Sequence, residues 1–270
     1  MAAITATFDA TLSRVVLQSN GWAGGDLAVR YYVRPAGGST WDTVRGAQAV
    51  PVSGGSAVTA YDYEFPWSGT GAGSVDYAVY SAATNTWAYA LATAVSITAT
   101  AWLKVVGYPT LNRKINPNDI GDITRSGRNE LISIIAQGAP AATADVMGGR
   151  STSILIPTTT WAEYKAVDDL LRVGGIVMLH SDEADLGVPT MYAVVERMVT
   201  RRTAKTHSPK RRIELQLAEV AKPHYAYAGS VGTYQSVLNQ HATYQDVLNT
   251  YATYLALAQI VGSPADVVVG

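Results

Sequence analysis

Cysteine is absent from this chain of 270 residues, which excludes disulfides, thiolate metal sites and a cysteine nucleophile. Packing alone must hold the fold. Phenylalanine is almost absent as well, with 2 Phe against 16 Tyr. Neither sign of charge is in excess: the net charge of -1 gives no overall pull toward nucleic acid or an anionic membrane. No run reads as a membrane helix. The stretch from Tyr77 to Leu103 carries no formal charge, but Ser, Asn and Thr break it and it alternates like a strand, so no membrane insertion is expected. The start, Met1-Ala-Ala-Ile-Thr-Ala-Thr-Phe-Asp, lacks the basic residues and apolar run of a secretion signal.

Enzyme signatures are missing too. The sequence holds no phosphate-binding Gly-x-x-x-x-Gly-Lys-Ser/Thr, no His-Glu-x-x-His and no Gly-x-Ser-x-Gly. Gly69-x-Gly71-x-Gly73 has no helix after it and reads as a hairpin tip. The four histidines, His180, His207, His224 and His241, are scattered, and packed or solvated rings are preferred to metal ligands. Neither catalysis nor a cofactor is expected.

What is present favours β structure. Val, Thr and Tyr suit half-buried strands, and the abundant Gly and Ser suit turns. Up to residue 100, short alternating runs are separated by Gly pairs, with strands expected at Ile4–Phe8, Arg14–Gln18, Leu27–Arg34, Ser56–Tyr63, Val75–Tyr80 and Trp87–Ile97. In the third of these, Leu27, Val29, Tyr31 and Val33 share a face. The expected unit is a fibronectin/Ig-like β-sandwich over residues 1–100.

Charge then changes abruptly. Residues 1–100 hold four basic against six acidic residues, 101–222 hold sixteen against thirteen, and the remainder none against two. A boundary is therefore placed near residue 101, followed by an extended strap through Trp102-Leu-Lys and Pro109-Thr-Leu-Asn. Strands are expected at Glu130–Gln137, Gly149–Ile156, Ile176–His180, Thr190–Thr200 and Arg211–Ala221. One amphipathic helix is expected over about 160–173, with Thr160 and Glu163 as a capping box, Gly174 beyond its end, and an apolar face of Tyr164, Val167, Leu170 and Leu171. Strands around one helix argue for a β-barrel or sandwich plugged by that helix over 101–222.

Residues 223–270 form a third region. Thr233-Tyr-Gln-Ser-Val-Leu-Asn-Gln-His-Ala is followed by Thr243-Tyr-Gln-Asp-Val-Leu-Asn-Thr-Tyr-Ala, and a drifted third copy opens at Thr253-Tyr254. The apolar spacing inside a copy is helical. Ten residues advance a helix by about 1000°, roughly 80° short of three turns. A chain of short helical turns, each restarted by a Thr cap, fits better than one long helix. Thr243 with Asp246 approaches a capping box. The uncovered stripes call for a partner surface.

Two clusters invite chemistry. Asp182, Glu183 and Asp185 put three carboxylates in one loop, a weak calcium candidate because no twelve-residue calcium loop is matched; a solvated turn is preferred. Arg201, Arg202, Arg211 and Arg212, with Lys205, His207 and Lys210 between them, make a basic hairpin. Without interleaved aromatics it reads as a subunit contact or a solvated face in preference to a nucleic-acid reader. Tyr234, Tyr244 and Tyr254 of the repeats are further subunit-contact candidates.

Trp102-Leu-Lys…Pro109-Thr-Leu-Asn-Arg113, the Thr160-Trp-Ala-Glu-Tyr helix and the Thr-Tyr-x-x-Val-Leu repeats together resemble minor tail proteins of long, non-contractile-tailed (siphovirus-type) phages of actinobacteria. Residues 101–222 are similar to the tail-tube-like barrel of the distal tail family. Val44-Arg-Gly…Val50-Pro-Val-Ser-Gly-Gly and Asp62-Tyr-Glu-Phe-Pro are similar to the fibronectin-like domains attached to such proteins. The resemblance implies a homo-oligomer, usually a hexameric ring, in the virion at the tail tip. It would join the tail tube to other baseplate proteins, with DNA only passing through the lumen. The sandwich precedes the barrel, which departs from the common arrangement and leaves a neighbouring baseplate component open. The other reading is a carbohydrate- or host-surface-binding module, with Trp22, Trp41, Trp67 and Trp87 as stacking platforms.

Overall fold

The structure, a computed structural model, describes residues 2–23, 25–52, 57–67, 72–97, 101–127, 129–132, 141–144, 147–203, 208–223, 243 and 245–247. The fold is mainly β, and every strand pairing in it is antiparallel.

The leading region contributes β1 (Ala3–Asp9), β2 (Arg14–Asn20), β3 (Ala28–Pro35), β4 (Asp42–Thr43), β5 (Val50–Pro51), β6 (Val58–Asp62), β7 (Ala72–Ser81) and β8 (Thr86–Ser96). One sheet runs β1-β2-β6; the other runs β4-β3-β7-β8, with β5 also on β3. Period-two alternation sends Val15 and Leu17 of β2, Val29, Tyr31 and Val33 of β3, and Val75, Tyr77 and Val79 of β7 into one core. The Tyr31 hydroxyl lies 2.6 Å from Ser19 Oγ, which also accepts from Trp22 Nε1 at 3.1 Å, so the buried polar tips are matched. Leu27 departs from expectation. The strand begins one residue later, and Leu27 is 78% exposed.

The middle region contributes β9 (Ala101–Val105), β10 (Arg113–Ile115), β11 (Asp119–Ile120), β12 (Thr124–Arg125), β13 (Asn129–Ile132), β14 (Ala141–Ala144), β15 (Arg150–Thr158), α1 (Trp161–Arg172), β16 (Ile176–Ser181), α2 (Glu183–Leu186), β17 (Met191–Arg202) and β18 (Arg211–Glu219). The large sheet runs β10-β9-β16-β17-β18-β15-β11, with β12 on β15; β13 and β14 pair only with each other among the described residues. The strap expected after Trp102 is broken differently. A 3-10 turn at Pro109–Leu111 reverses the chain, the Asn112 side chain accepts from Val105 N at 3.1 Å, and β10 folds back onto β9.

Helix α1 starts as its sequence dictates. Glu163 N donates to Thr160 Oγ1 at 3.1 Å, and Glu163 Oε2 accepts from Thr160 N at 3.3 Å and Thr159 N at 2.7 Å. It ends at Gly174 and Gly175, with φ of 71° and 93° that disfavour any side chain. Val167 and Leu170 are buried with Ile154, Ile156, Ile213, Leu215 and Leu217, while Tyr164 and Leu171 pack at the edge of that core.

Among the described residues there are therefore two cores, and β9 belongs to both. All five of its residues are buried. Trp102 joins the first core, whereas Ala101, Leu103 and Val105 join the second.

Candidate functional site

The expected carboxylate loop is partly helical. Asp182 precedes the single turn of α2, which Gly187 closes in the left-handed region at φ 67°. Asp182 is 1% exposed, so the solvated-turn expectation fails for it: the preceding β16 is a central strand that carries Asp182 inward. Glu183 is exposed, and the Asp185 side chain lies outside the described residues. Among the described residues no three His, Asp or Glu side chains converge in a way that could hold a metal ion.

The basic hairpin forms from the ends of β17 and β18. Arg201 stands opposite Arg212 and Arg202 opposite Arg211 in the register, so each face of the ribbon carries one like-charged pair. Arg201 is relieved by Glu214 at 2.9 Å. The Arg211 guanidinium lies 5.7 Å from the centroid of the exposed Trp161 ring and donates to Ser208 O at 2.6 Å. Arg212 and Arg201 border a shallow hollow of about 250 Å³ on the sheet, shared with Asp119 and Glu214. Lys205 and His207 fall outside the described residues, as do His224, His241, Tyr234, Tyr244 and Tyr254. In the second repeat, Asp246 Oδ2 accepts from Thr243 N at 3.0 Å and Asp246 N donates to Thr243 Oγ1 at 3.2 Å, opening a turn at 245–247.

The four tryptophans proposed as stacking platforms separate into two classes. Trp22 and Trp67 are 4% and 9% exposed and belong to the first core. Trp41 and Trp87 instead lie on the outer face of the β4-β3-β7-β8 sheet. Trp87 has Tyr80 at 4.5 Å, Tyr32 at 5.4 Å and Tyr89 at 6.1 Å between ring centroids, the last nearly parallel at 6°. Trp41 lies 6.2 Å from Tyr89 and under the Arg34 guanidinium at 4.2 Å. Asp76 fixes that arginine at 3.0 Å. Trp87 and Tyr89 remain 41% and 55% exposed.

The sequence reading missed the densest polar cluster, which lies where the two regions meet. Lys104 Nζ is 2.8 Å from each of three polar atoms: the carbonyl oxygens of Ser13 and Tyr63, and His180 Nδ1. Phe65 covers both partners, its ring 4.6 Å from the imidazole and 4.9 Å from Nζ. Beside it, Arg45 forms a two-pronged bridge to Glu64 at 2.5 and 3.0 Å and donates to Pro223 O at 2.8 Å. Tyr192 donates to Glu64 at 2.6 Å, and Tyr77 donates to Asp62 at 3.1 Å.

Burial dominates the protonation of this cluster. It pushes Lys104 down to about 7, against the pull of Asp62 and Glu64, and pushes the Asp62 carboxyl up to about 6. His180 is held well below the ordinary imidazole range, first by burial and then by the Lys104 charge. One signal could have found the site: Lys104 is the lone charge in Ala101-Trp-Leu-Lys-Val-Val, an apolar run whose composition suits a strand buried on both faces.

Set against known proteins, the sequence matches no family model, and no curated protein aligns with it significantly.

Proposed function

We propose that this chain is a structural protein of a phage tail tip, working by self-association into a ring that joins the tail tube to the adsorption apparatus. One observation carries the reading. β16 pairs with β17 only as far as Val194, so from Val195 to Arg202 the side of β17 away from β18 has no strand partner among the described residues. That edge borders a cleft of about 500 Å³ reaching under the end of α1. A long open edge in the middle of a sheet is a template for another chain, and pairing between unlike edges repeats around a ring.

The finer architecture fits the same reading. β10 and β11 close opposite ends of the large sheet, yet only residues 116–118 separate them. Such a link spans at most about 14 Å, which favours a curled, barrel-like sheet. The two facing sheets of the leading region favour a fibronectin-like sandwich. Light scattering and negative-stain images of the purified protein test the proposal. Several copies per particle are expected, and Arg201→Glu with Arg212→Glu should lower the mass. A strict monomer at micromolar concentration that also ignores tail tube would overturn it.

A second reading, carbohydrate binding by the virion, is favoured by the exposed ring cluster around Trp87. Retention of the full chain on cell-wall glycan that survives Trp87→Ala would remove it.

A further inference from the structure

The contact between Lys104 and His180 admits a limited set of protonation states. Ser13 O and Tyr63 O can only accept, so they take two of the Lys104 hydrogens. The third contact joins nitrogen to nitrogen at 2.8 Å and needs one proton on its axis. Either the ammonium donates to a neutral imidazole, or an imidazole Nδ1–H donates to a neutral amine. The pair is therefore satisfied with at most one positive charge. A second proton would set two cationic donors against each other in a site closed to water, where His180 is wholly buried and its Nε2 has no hydrogen-bond partner.

The location gives this chemistry a mechanical meaning. Lys104 projects from β9 and His180 from the neighbouring β16, while Ser13, Tyr63 and Phe65 belong to the leading region. We propose that the Lys104–His180 pair is an acid-released latch between the two halves of the chain. Protonation of His180 drives the imidazole away from Lys104 and loosens the junction, while each half keeps its own core.

The surrounding groups do not all act in one sense: burial raises the Asp62 carboxyl to about 6, so its protonation as pH falls favours the closed junction. Asp62 and Glu64 face Lys104 from the leading region and support its charge. Tyr192 donating to Glu64 and Arg45 donating to Pro223 O form the second set of ties across the junction. Asp182, two residues after His180, lies at the start of α2. Alkali has no comparable effect, because a neutral amine still donates to both carbonyls and accepts from Nδ1–H. The latch is independent of the tail-tip reading and stands or falls separately.

Small-angle scattering and amide exchange on the full chain between pH 7.5 and 4.5 test it. Below about pH 6, under the ordinary imidazole value, the wild type should expand. Segments 60–67 and 101–105 should then exchange about tenfold faster after correction for intrinsic rates, a shift of about 1.4 kcal/mol, while β3, β7 and β18 stay protected. His180→Asn, whose carboxamide oxygen accepts from Lys104 but takes no proton, should stay closed over that range. Opening of His180→Asn at the wild-type pH would overturn the latch. So would a wild type that stays compact throughout. Ring resonances of the unmodified protein give a check that needs no variant: His180 should protonate together with the expansion, and protonation without expansion would be decisive against it.

Discussion

Trp102 and Leu103 are neighbours on β9 but belong to different cores, Trp102 to that of the leading region and Leu103 to that of the large sheet. Alternation along a strand sends successive side chains to opposite faces, and here each face meets its own hydrophobic interior. The boundary between the halves is thus a shared strand.

This arrangement separates the effects of two substitutions one residue apart. Leu103→Ala should cost about 2–5 kcal/mol and Trp102→Ala about 3–5 kcal/mol, the range for emptied buried sites. Amide exchange resolved by segment should show Leu103→Ala loosening β15 to β18 first and Trp102→Ala loosening β2, β3 and β7 first. Equal loosening of both halves by either variant would mean that the cores melt as one unit.

Local rules made much of this fold legible. Thr160, Glu163 and Gly174 sit at fixed offsets, so helix α1 could be bounded within a residue at each end. Alternating runs such as Arg14–Gln18 and Val75–Tyr80 likewise lie inside strands. Tertiary context decided what failed. Leu27 matches the inward face of β3 in sequence, but the chain is not yet in the strand there. His180 and Lys104 are 76 residues apart, and no local pattern announces that β9 and β16 will be adjacent. Trp41, Tyr80 and Trp87 come together because β3, β4, β7 and β8 share a sheet. Residues 1–100 hold four of the six tryptophans, and their sequence does not say which pair faces water.

Stability should rise between pH 7 and about pH 10 because of Lys104. Its folded value, about 7, lies below its ordinary value of 10.5. The unfolded chain therefore binds the proton more tightly across that window, and stability is lost as pH falls through it. His180 adds a loss below about pH 6.5, where the unfolded ring takes a proton and the buried ring does not. Asp62 opposes this on the acid side: its folded value near 6 exceeds 3.8, so its contribution is lost as pH rises from 3.8 to 6. Thermal melts across pH should show the alkaline rise, and Lys104→Met should flatten it. A wild-type melting temperature falling steadily from pH 7 to 10 would refute the assignment to Lys104.

Deleting residues 229–270 should leave both β regions intact. Every strand assigned above lies between Ala3 and Glu219, and the Arg45 contact to Pro223 O lies before the cut. The repeat sequence spaces its apolar residues as on a helix, Tyr244, Val247, Leu248 and Tyr251 in the second copy, so removing the repeats should instead lower the mass of the assembled particle or its retention on tail tube. Full assembly by the truncated chain would leave the repeats without an assembly role.

The two classes of tryptophan predict opposite mutational signatures. Trp22 is buried and its indole N–H is satisfied by Ser19, so Trp22→Ala should cost about 3–5 kcal/mol. Trp87 packs on Tyr80 and Tyr32 but is 41% exposed, so Trp87→Ala should cost about 1 kcal/mol, within the range for an aromatic pair. If the outer face binds carbohydrate, the order reverses in a glycan-retention assay: Trp87→Ala loses binding while remaining folded, and Trp22→Ala loses it only in proportion to unfolding. Chemical denaturation and retention measured on the same two variants distinguish a binding face from a merely exposed one, because a face with no ligand would leave retention insensitive to Trp87.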